Sequence, residues 1–304
     1  MPDPMPALAL VAVPGRRRQT LDVAREAERR GFSGIYVSSR FANMAQCTAL
    51  AFATERMLIG TGIAPIYART VEDFAQTAAY IHEVSGGRFR FGIGVAHAPS
   101  HARMGVEAAV GRPLSDTREF VEKYRAYEEF GPLPPIVLAA LRKRMVALAG
   151  EISQGVIFAN ASRSHMAASL SALPAGKRAD PDFLIANMIP ACISDDAAAA
   201  KALCRRNLVR YTTLPNYRNY WKEAGYGDEM AAIEKALAAG RENDIPALMS
   251  DRWLADAALF GPAKAVRDGV AAWREAGVST LVLVPSSLAG NQMTAIEEAF
   301  AAFA

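Results

Sequence analysis

The sequence predicts a (β/α)8 barrel, on three observations. Short apolar runs alternate with longer amphipathic segments along all 304 residues. Eight of the short runs read as strands, bounded by turn residues and enriched in Val, Ile and aromatics. Helical segments separate them, so consecutive strands pair in parallel through right-handed crossovers, and eight is the number that closes a barrel. Pattern alone leaves a doubly wound open sheet as the alternative. No linker-like stretch and no repeat beyond the βα unit interrupts the chain, which reads as one domain over residues 1–304.

The elements follow in order. Leu8–Val13 is the first strand; the residues before it carry no basic group, so this is not the pattern of a signal peptide. A helix near Thr20–Arg30 stops at Gly31, and Gly34–Val37 is the second strand. An Ala-rich helix begins at Met44, Met57–Ile63 is the third strand, and a helix covers Thr70–Val84 before the Ser85-Gly86-Gly87 stop. Phe89–Ile93 is the fourth strand. The segment 95–116, rich in Ala, His and Arg, reads as a flap over the site, and a charged helix covers Leu114–Phe130. Pro135–Leu138 leads into a helix over Lys143–Glu151, Gly155–Phe158 is the sixth strand with a helix beyond Ser162, and Phe183–Ile189 is the seventh. Extra helices fill about 195–260, with an interruption at Tyr211–Trp221. Gly261-Pro262 opens a further helix ending at Gly277, Leu281–Val284 is the eighth strand, and Gln292–Phe303 closes the chain.

Composition excludes several classes. The net charge is only +3, and no long basic run is interleaved with aromatics, which argues against nucleic acid as a partner. Cys47, Cys192 and Cys204 are too scattered for a disulfide framework and read as buried thiols in a reducing compartment. No apolar stretch spans a bilayer, and a cytoplasmic location is expected. No phosphate-loop, zinc-protease or nucleophile-elbow motif is present, and Gly92-Ile93-Gly94 lacks the third glycine of a dinucleotide fingerprint. His97 and His101 are four apart, but the proline between them places both in a loop, and no carboxylate lies near them, so no metal site is expected. The run Arg16-Arg17-Arg18 sits on the loop after the first strand, a solvated helix entry that would attract an anion if it lies on a ligand-binding rim.

Two stretches resemble the luciferase-like monooxygenase family. The first runs from Ala24 to Gly94 and contains AREAERRGFSGIYVSSRF, TERMLIGTGIAP and VSGGRFRFGIG; the second is PPIVLAALRKRMVALAGEISQGVIF, Pro134 to Phe158. FGPAKAVRDGVAAWREAGVSTLVLVP is a weaker third. The resemblance implies a barrel of the bacterial luciferase-like type and, from Gly62-Ile63, the branch that uses coenzyme F420, a deazaflavin, with FMN as the alternative cofactor. It further implies that the third strand ends in a bulge with a non-proline cis peptide at Gly62-Ile63, whose Ile presses on the middle ring of the cofactor. The cofactor phosphate is placed by the same resemblance on Ala139, Ala140, Leu141 and Arg142 after the fifth strand, and on Asn160 and Ala161 after the sixth. Relatives commonly carry Gly-Pro where this chain has Arg142-Lys143.

The chemistry is where this chain departs from its relatives. After the second strand they commonly read Ser-Asp-His; here the residues are Ser38-Ser39-Arg40. Ser39 still forms hydrogen bonds to a cofactor, and Arg40 supplies fixed positive charge in place of an acid or base. His97 stands on the strand-four loop where some deazaflavin enzymes carry a glutamate, and it titrates near neutrality, which makes it the candidate for proton delivery. Ser100 is a further cofactor contact, and Phe41 and Asn43 line the substrate pocket. The resemblance thus implies an oxidoreductase passing hydride between F420 and a small organic substrate (a carbonyl, imine or activated alkene). The alternatives are a two-component FMN monooxygenase fed by a flavin reductase, and a flavin-binding barrel that has lost catalysis. A homodimer through the helix after Met44 and the Thr70–Val84 helix is expected on the same ground.

Overall fold

The computed structural model describes residues 5–38, 42–105 and 112–304. Eight parallel strands close on themselves: β1 (Ala7–Leu10), β2 (Gly34–Val37), β3 (Leu58–Thr61), β5 (Phe89–Gly94), β6 (Ile136–Ala139), β7 (Gly155–Ala159), β8 (Leu184–Ile193) and β10 (Thr280–Ser286). β10 pairs with β8 on one side and β1 on the other, which completes the ring and rules out the open sheet. Two short strands lie off the ring: β4 (Ala64–Pro65) extends β3 along β5, and β9 (Leu259–Gly261) pairs with Ala191–Ile193 at the far end of β8.

The inside of the ring is packed with small and branched side chains. Ala7, Ala9, Val137, Ile157, Ala186 and Val282 form its buried centre around Tyr36. Gly60 makes room for that ring, because a Cβ there would stand 2.8 Å from Tyr36 Cδ1. The outward strand residues meet the helices in a larger apolar layer that includes Ile59, Phe91, Leu138, Phe158 and Leu283. Glu28, on the helix Arg17–Arg29, accepts from the N–H groups of Glu55, Arg56 and Met57 and so holds the turn that starts β3. Those three bonds keep its carboxyl below the usual carboxylate range against the opposing effect of burial.

Several boundaries differ from expectation, each for a local reason. The interruption expected at Tyr211–Trp221 is confined to two residues. Ala197–Thr212 and Pro215–Glu223 are both helical, separated only at Thr213-Leu214, and Pro215 stands in the first turn, where a missing N–H costs nothing. The same rule corrects the loop expected at His97–His101: Pro99 is at the start of a helix over Ala98–Met104, with His97 as its N-cap and His101 within it. The helix expected to reach Phe130 stops at Arg125, and a separate 3-10 turn covers Glu128–Phe130. The helices between Ala197 and Ala257 leave from the long β8 and return through β9. Among the described residues, no helix is long and apolar enough to cross a membrane, and all three cysteines are buried and free.

Candidate active site

The C-terminal end of the ring carries the irregular backbone. Among the described residues, Ala42, Ala96 and Asn160 have left-handed φ values of 57°, 59° and 53° without being glycine. They lie on the loops after β2, β5 and β7 respectively. Such residues cost of order 1–3 kcal/mol each and collect where function imposes them.

A bulge builds the centre of this face. Gly60 pairs with Arg90 and Ala64 with Ile93, so the β3–β4 side advances four residues while β5 advances three. The extra residue lets Gly62 and Ile63 both face the mouth, where strict alternation would allow only one. A Cβ on Gly62 would stand 3.0 Å from Met188 Sδ. One on Gly94 would stand 2.8 Å from Ile63 Cδ1 and 3.0 Å from Ala139 Cβ. Ile63, Met188 and Ala139 therefore border a smooth apolar shelf that depends on glycine at 62 and 94. The cis peptide expected at Gly62-Ile63 is absent: the described peptide bonds are all trans. The Gly62 N–H donates to Val37 O at 2.9 Å and Ala64 resumes the ladder with Ile93, so the bulge is accommodated without it. Asn43 is 4% exposed and supports the shelf from outside, its Nδ2 donating to Ile63 O at 3.3 Å.

His97 stands at one edge of the mouth. Its ring lies 5.5 Å from that of Tyr217, and burial, followed by the nearby His101, holds its pKa below the usual histidine value. His101 is 4% exposed, bonded through Nε2 to the Val95 carbonyl, and set edge-on to Tyr67 at 5.3 Å. Tyr67 donates its hydroxyl to Asp116 at 2.8 Å, and burial followed by that carboxylate raises its pKa. The Ser100 N–H bonds back to His97 O at 2.7 Å. Ser39, Arg40 and Phe41 lie outside the described residues, as do residues 106–111 of the expected flap.

The expected phosphate residues divide into two groups. Ala140 and Leu141 are each 7% exposed, and Ala140 N–H donates to Ile157 O. Arg142 is the exposed N-cap of the helix Lys143–Ile152, makes no side-chain cap bond, and places its guanidinium on Glu223 at 2.5 Å. The first-turn N–H groups of this helix, with Lys143 and Arg144 exposed beside them, favour an anion. Asn160 and Ala161 are different: 3% and 0% exposed, they lie beneath the helix Pro215–Glu223. Trp221 Nε1 donates to Asn160 O at 3.2 Å, and the Ser162 N–H donates to Tyr220 Oη at 3.1 Å. Burial, partly offset by that donor, pushes the Tyr220 hydroxyl up to about 12. Asp256, 7% exposed, accepts from the Ser164 N–H and hydroxyl and from the Tyr226 hydroxyl, fixing the other end of the loop.

Sequence reasoning missed this aromatic cover. Tyr217, Tyr220 and Trp221 stand at i, i+3 and i+4, a helical signature that was legible. It missed Met188 as well, which nothing in the strand pattern distinguishes from its neighbours. Among the described residues no cluster of His, Cys, Asp or Glu is disposed to hold a metal ion.

Comparison with known proteins places this geometry. A family model described as luciferase-like monooxygenase matches residues 6–280. A Mycobacterium tuberculosis protein named as a coenzyme F420-dependent oxidoreductase is 26% identical, over 88% of this chain and 90% of that protein. The structure of coenzyme F420 dependent tetrahydromethanopterin reductase from Methanopyrus kandleri superposes with a TM-score of 0.79 at 20% identity, covering 98% of this chain and 97% of the other. The FMN complex of the oxygenating constituent of 3,6-diketocamphane monooxygenase from Pseudomonas putida has a TM-score of 0.62 at 15% identity, covering 91% of each chain. At these identities both structures establish the fold.

Proposed function

Because this chain belongs to the luciferase-like monooxygenase family, we propose that it is an oxidoreductase passing hydride between coenzyme F420 and a small organic substrate, a carbonyl, imine or activated alkene. The observation that carries this reading is the shelf at the bulge. Ile63 and Met188 beside Gly62, Gly94 and Ala139 form an apolar surface from which no side chain rises at the glycines, and a flat ring system fits such a surface. The relative named for F420 covers most of both chains and favours the deazaflavin over FMN.

When bound, the cofactor supplies the hydride chemistry; the protein supplies position and one proton. The bulge would present Ile63 to a bound ring, and Asn43 fixes the Ile63 carbonyl. The helix start at Arg142–Arg144, which has no side-chain cap, would hold the cofactor phosphate, and Arg142 would have to share its guanidinium with Glu223. Asn160 and Ala161 act from beneath, shaping the loop rather than reaching the ligand, since the Pro215–Glu223 helix covers them. His97, whose pKa burial lowers, is placed to take the proton from an alcohol as a base. In the reduction direction the proton for the substrate oxygen would come from its imidazolium form, which gains as pH falls. In this reading Ser39 and Ser100 contact the cofactor, Arg40 supplies positive charge and Phe41 belongs to the substrate pocket, as the family resemblance implies. On the same reading the enzyme is a cytoplasmic homodimer.

Fluorescence titration tests the cofactor. F420 fluorescence should be quenched on binding, with Gly94→Ala weakening the affinity about tenfold or more. Tight FMN binding with F420 fluorescence unchanged overturns the proposal in favour of a two-component monooxygenase with a flavin reductase partner, the reading that the FMN-bound barrel supports. Binding of F420 with no turnover on any carbonyl, imine or alkene favours a barrel that has lost catalysis.

A further inference from the structure

Beside the mouth, on the outer side of Asn43, lies a cavity of about 310 Å³ that the cofactor reading does not use. It is lined by Asn43, Pro65, Arg69, Phe74, Arg103 and Met104 among others, with no acidic residue in the lining. Its volume is at the small end of ligand pockets, roughly 300–1,000 Å³.

The two guanidiniums are held differently. Arg69 is preorganised: Nη1 meets Asp73 Oδ2 at 3.0 Å, and Cζ stands 5.8 Å from the centre of the Phe74 ring. Arg103, on the last turn of the helix Ala98–Met104, is exposed and pairs with no acid among the described residues. Asp73 offsets one of the two positive charges, leaving about one to be matched. Two like charges facing one cavity repel, and the apolar walls of Pro65, Phe74 and Met104 screen them less than water does. A monovalent anion with a planar pair of acceptors relieves that repulsion and fits the guanidinium fork, while the walls favour a hydrocarbon body.

We propose that this cavity is a carboxylate subsite for a small organic acid with an apolar body, held by Arg103 and Arg69. Asn43 joins the two regions, lining the cavity while donating to the carbonyl of Ile63 on the shelf. The substrate is therefore an organic acid whose reacting group lies towards Ile63; this second step rests on the proposed function, whereas the subsite does not.

Calorimetric titration of the cofactor-free protein with hexanoate and with hexanamide tests the subsite. Hexanoate should bind at least about tenfold more tightly than the uncharged amide. Arg103→Gln and Arg69→Gln should each erase the difference, while Arg25→Gln on the outer helix should leave it intact. Equal binding of acid and amide, or no binding of either, overturns the subsite. If Arg103→Gln leaves hexanoate binding unchanged but weakens F420 tenfold, the cavity takes an anionic group of the cofactor and the proposal fails. With the subsite established, turnover decides the second step: kcat/KM for oxo acids above that for their amides supports it. Equal values overturn the substrate class while leaving the subsite and the cofactor reading standing.

Discussion

His101 donates from Nε2 to the carbonyl of Val95, two residues before His97. A carbonyl only accepts, so in the neutral ring the proton sits on Nε2 and the lone pair on Nδ1, which is buried and has no hydrogen-bond partner among the described residues. The bond spans the entry to the helix Ala98–Met104 and fixes the strand end from which His97 projects. His101→Phe keeps an aromatic edge for Tyr67 but leaves the Val95 carbonyl without its donor. The expected cost is about 1–3 kcal/mol in urea unfolding, with kcat reduced and F420 affinity retained. Stability within 0.5 kcal/mol of the parent, at unchanged kcat, would show that the bond positions nothing.

Gly94 tests the shelf. A methyl there would stand 2.8 Å from Ile63 Cδ1 and 3.0 Å from Ala139 Cβ, closer than side-chain carbons pack. Gly94→Ala should drive Ile63 out of its position and weaken cofactor binding while the ring of strands stays closed. Gly62→Ala should be milder, because the atom it meets is the end of the flexible Met188 side chain. Equal losses at the two positions would argue against Ile63 as the supporting surface.

Much of this was legible from the residues, in unequal measure. All eight ring strands follow from runs such as Gly34–Val37 and Leu281–Val284, because strands buried on both faces are near-continuously apolar. The family-like stretch ending at Pro65 led to Gly62-Ile63, where the structure places the bulge, though with a trans bond. Long-range pairs were beyond reach. The resemblance gives Arg142 to the cofactor phosphate, yet Glu223, eighty-one positions on, holds its guanidinium. Asn160 looked like an accessible donor because nothing local announces that Trp221 will close over it. Pro99 misled in the same way, as a breaker where it serves as a helix start.

The histidines set the behaviour in mild acid. Burial is the largest influence on His82, His97 and His165, and it holds each below its ordinary 6.5. The folded chain then binds fewer protons than the unfolded chain in the window below that value. Stability is fully present above about pH 6.5 and is lost as pH falls from there towards the lowered folded values. Melting temperature should fall between pH 7.5 and 5.5, and His97→Gln should shallow the decline. If His97 also carries the catalytic proton, kcat/KM shows a limb below 6.5 that this variant removes. A flat melting profile would mean that the three rings are no more desolvated folded than unfolded.

Arg88 spends all five of its N–H groups on one corner of the barrel. Nε donates to Ser85 O at 2.7 Å; Nη1 donates to Thr54 Oγ1 and Met57 O; Nη2 donates to Ala51 O and Thr54 O. These bonds tie the end of the helix Asn43–Ala53 to the start of β3. Lysine offers three donors from a single point and cannot reproduce the fork. Arg88→Lys should lower the unfolding free energy by about 2–3 kcal/mol at unchanged denaturant slope. A loss under about 1 kcal/mol would mean that water replaces the missing donors.

Phe52 and Tyr80 are the most exposed large apolar residues described, at 67% and 52%. They lie on the helices Asn43–Ala53 and Val71–Val84, which pack side by side outside β3. The other two, Val11 and Leu288, follow β1 and β10 at the mouth. The helices Asn43–Ala53 and Val71–Val84 are the two that the family resemblance gives as the pairing face, and the exposed Phe52 and Tyr80 make that expectation testable. Sedimentation should give a homodimer mass, and Phe52→Lys with Tyr80→Lys should give a monomer with unchanged circular dichroism. Val11→Lys should leave the dimer intact while disturbing the mouth. A dimer that survives both helix substitutions would place its interface elsewhere, and a monomeric parent would leave the exposed pair without this role.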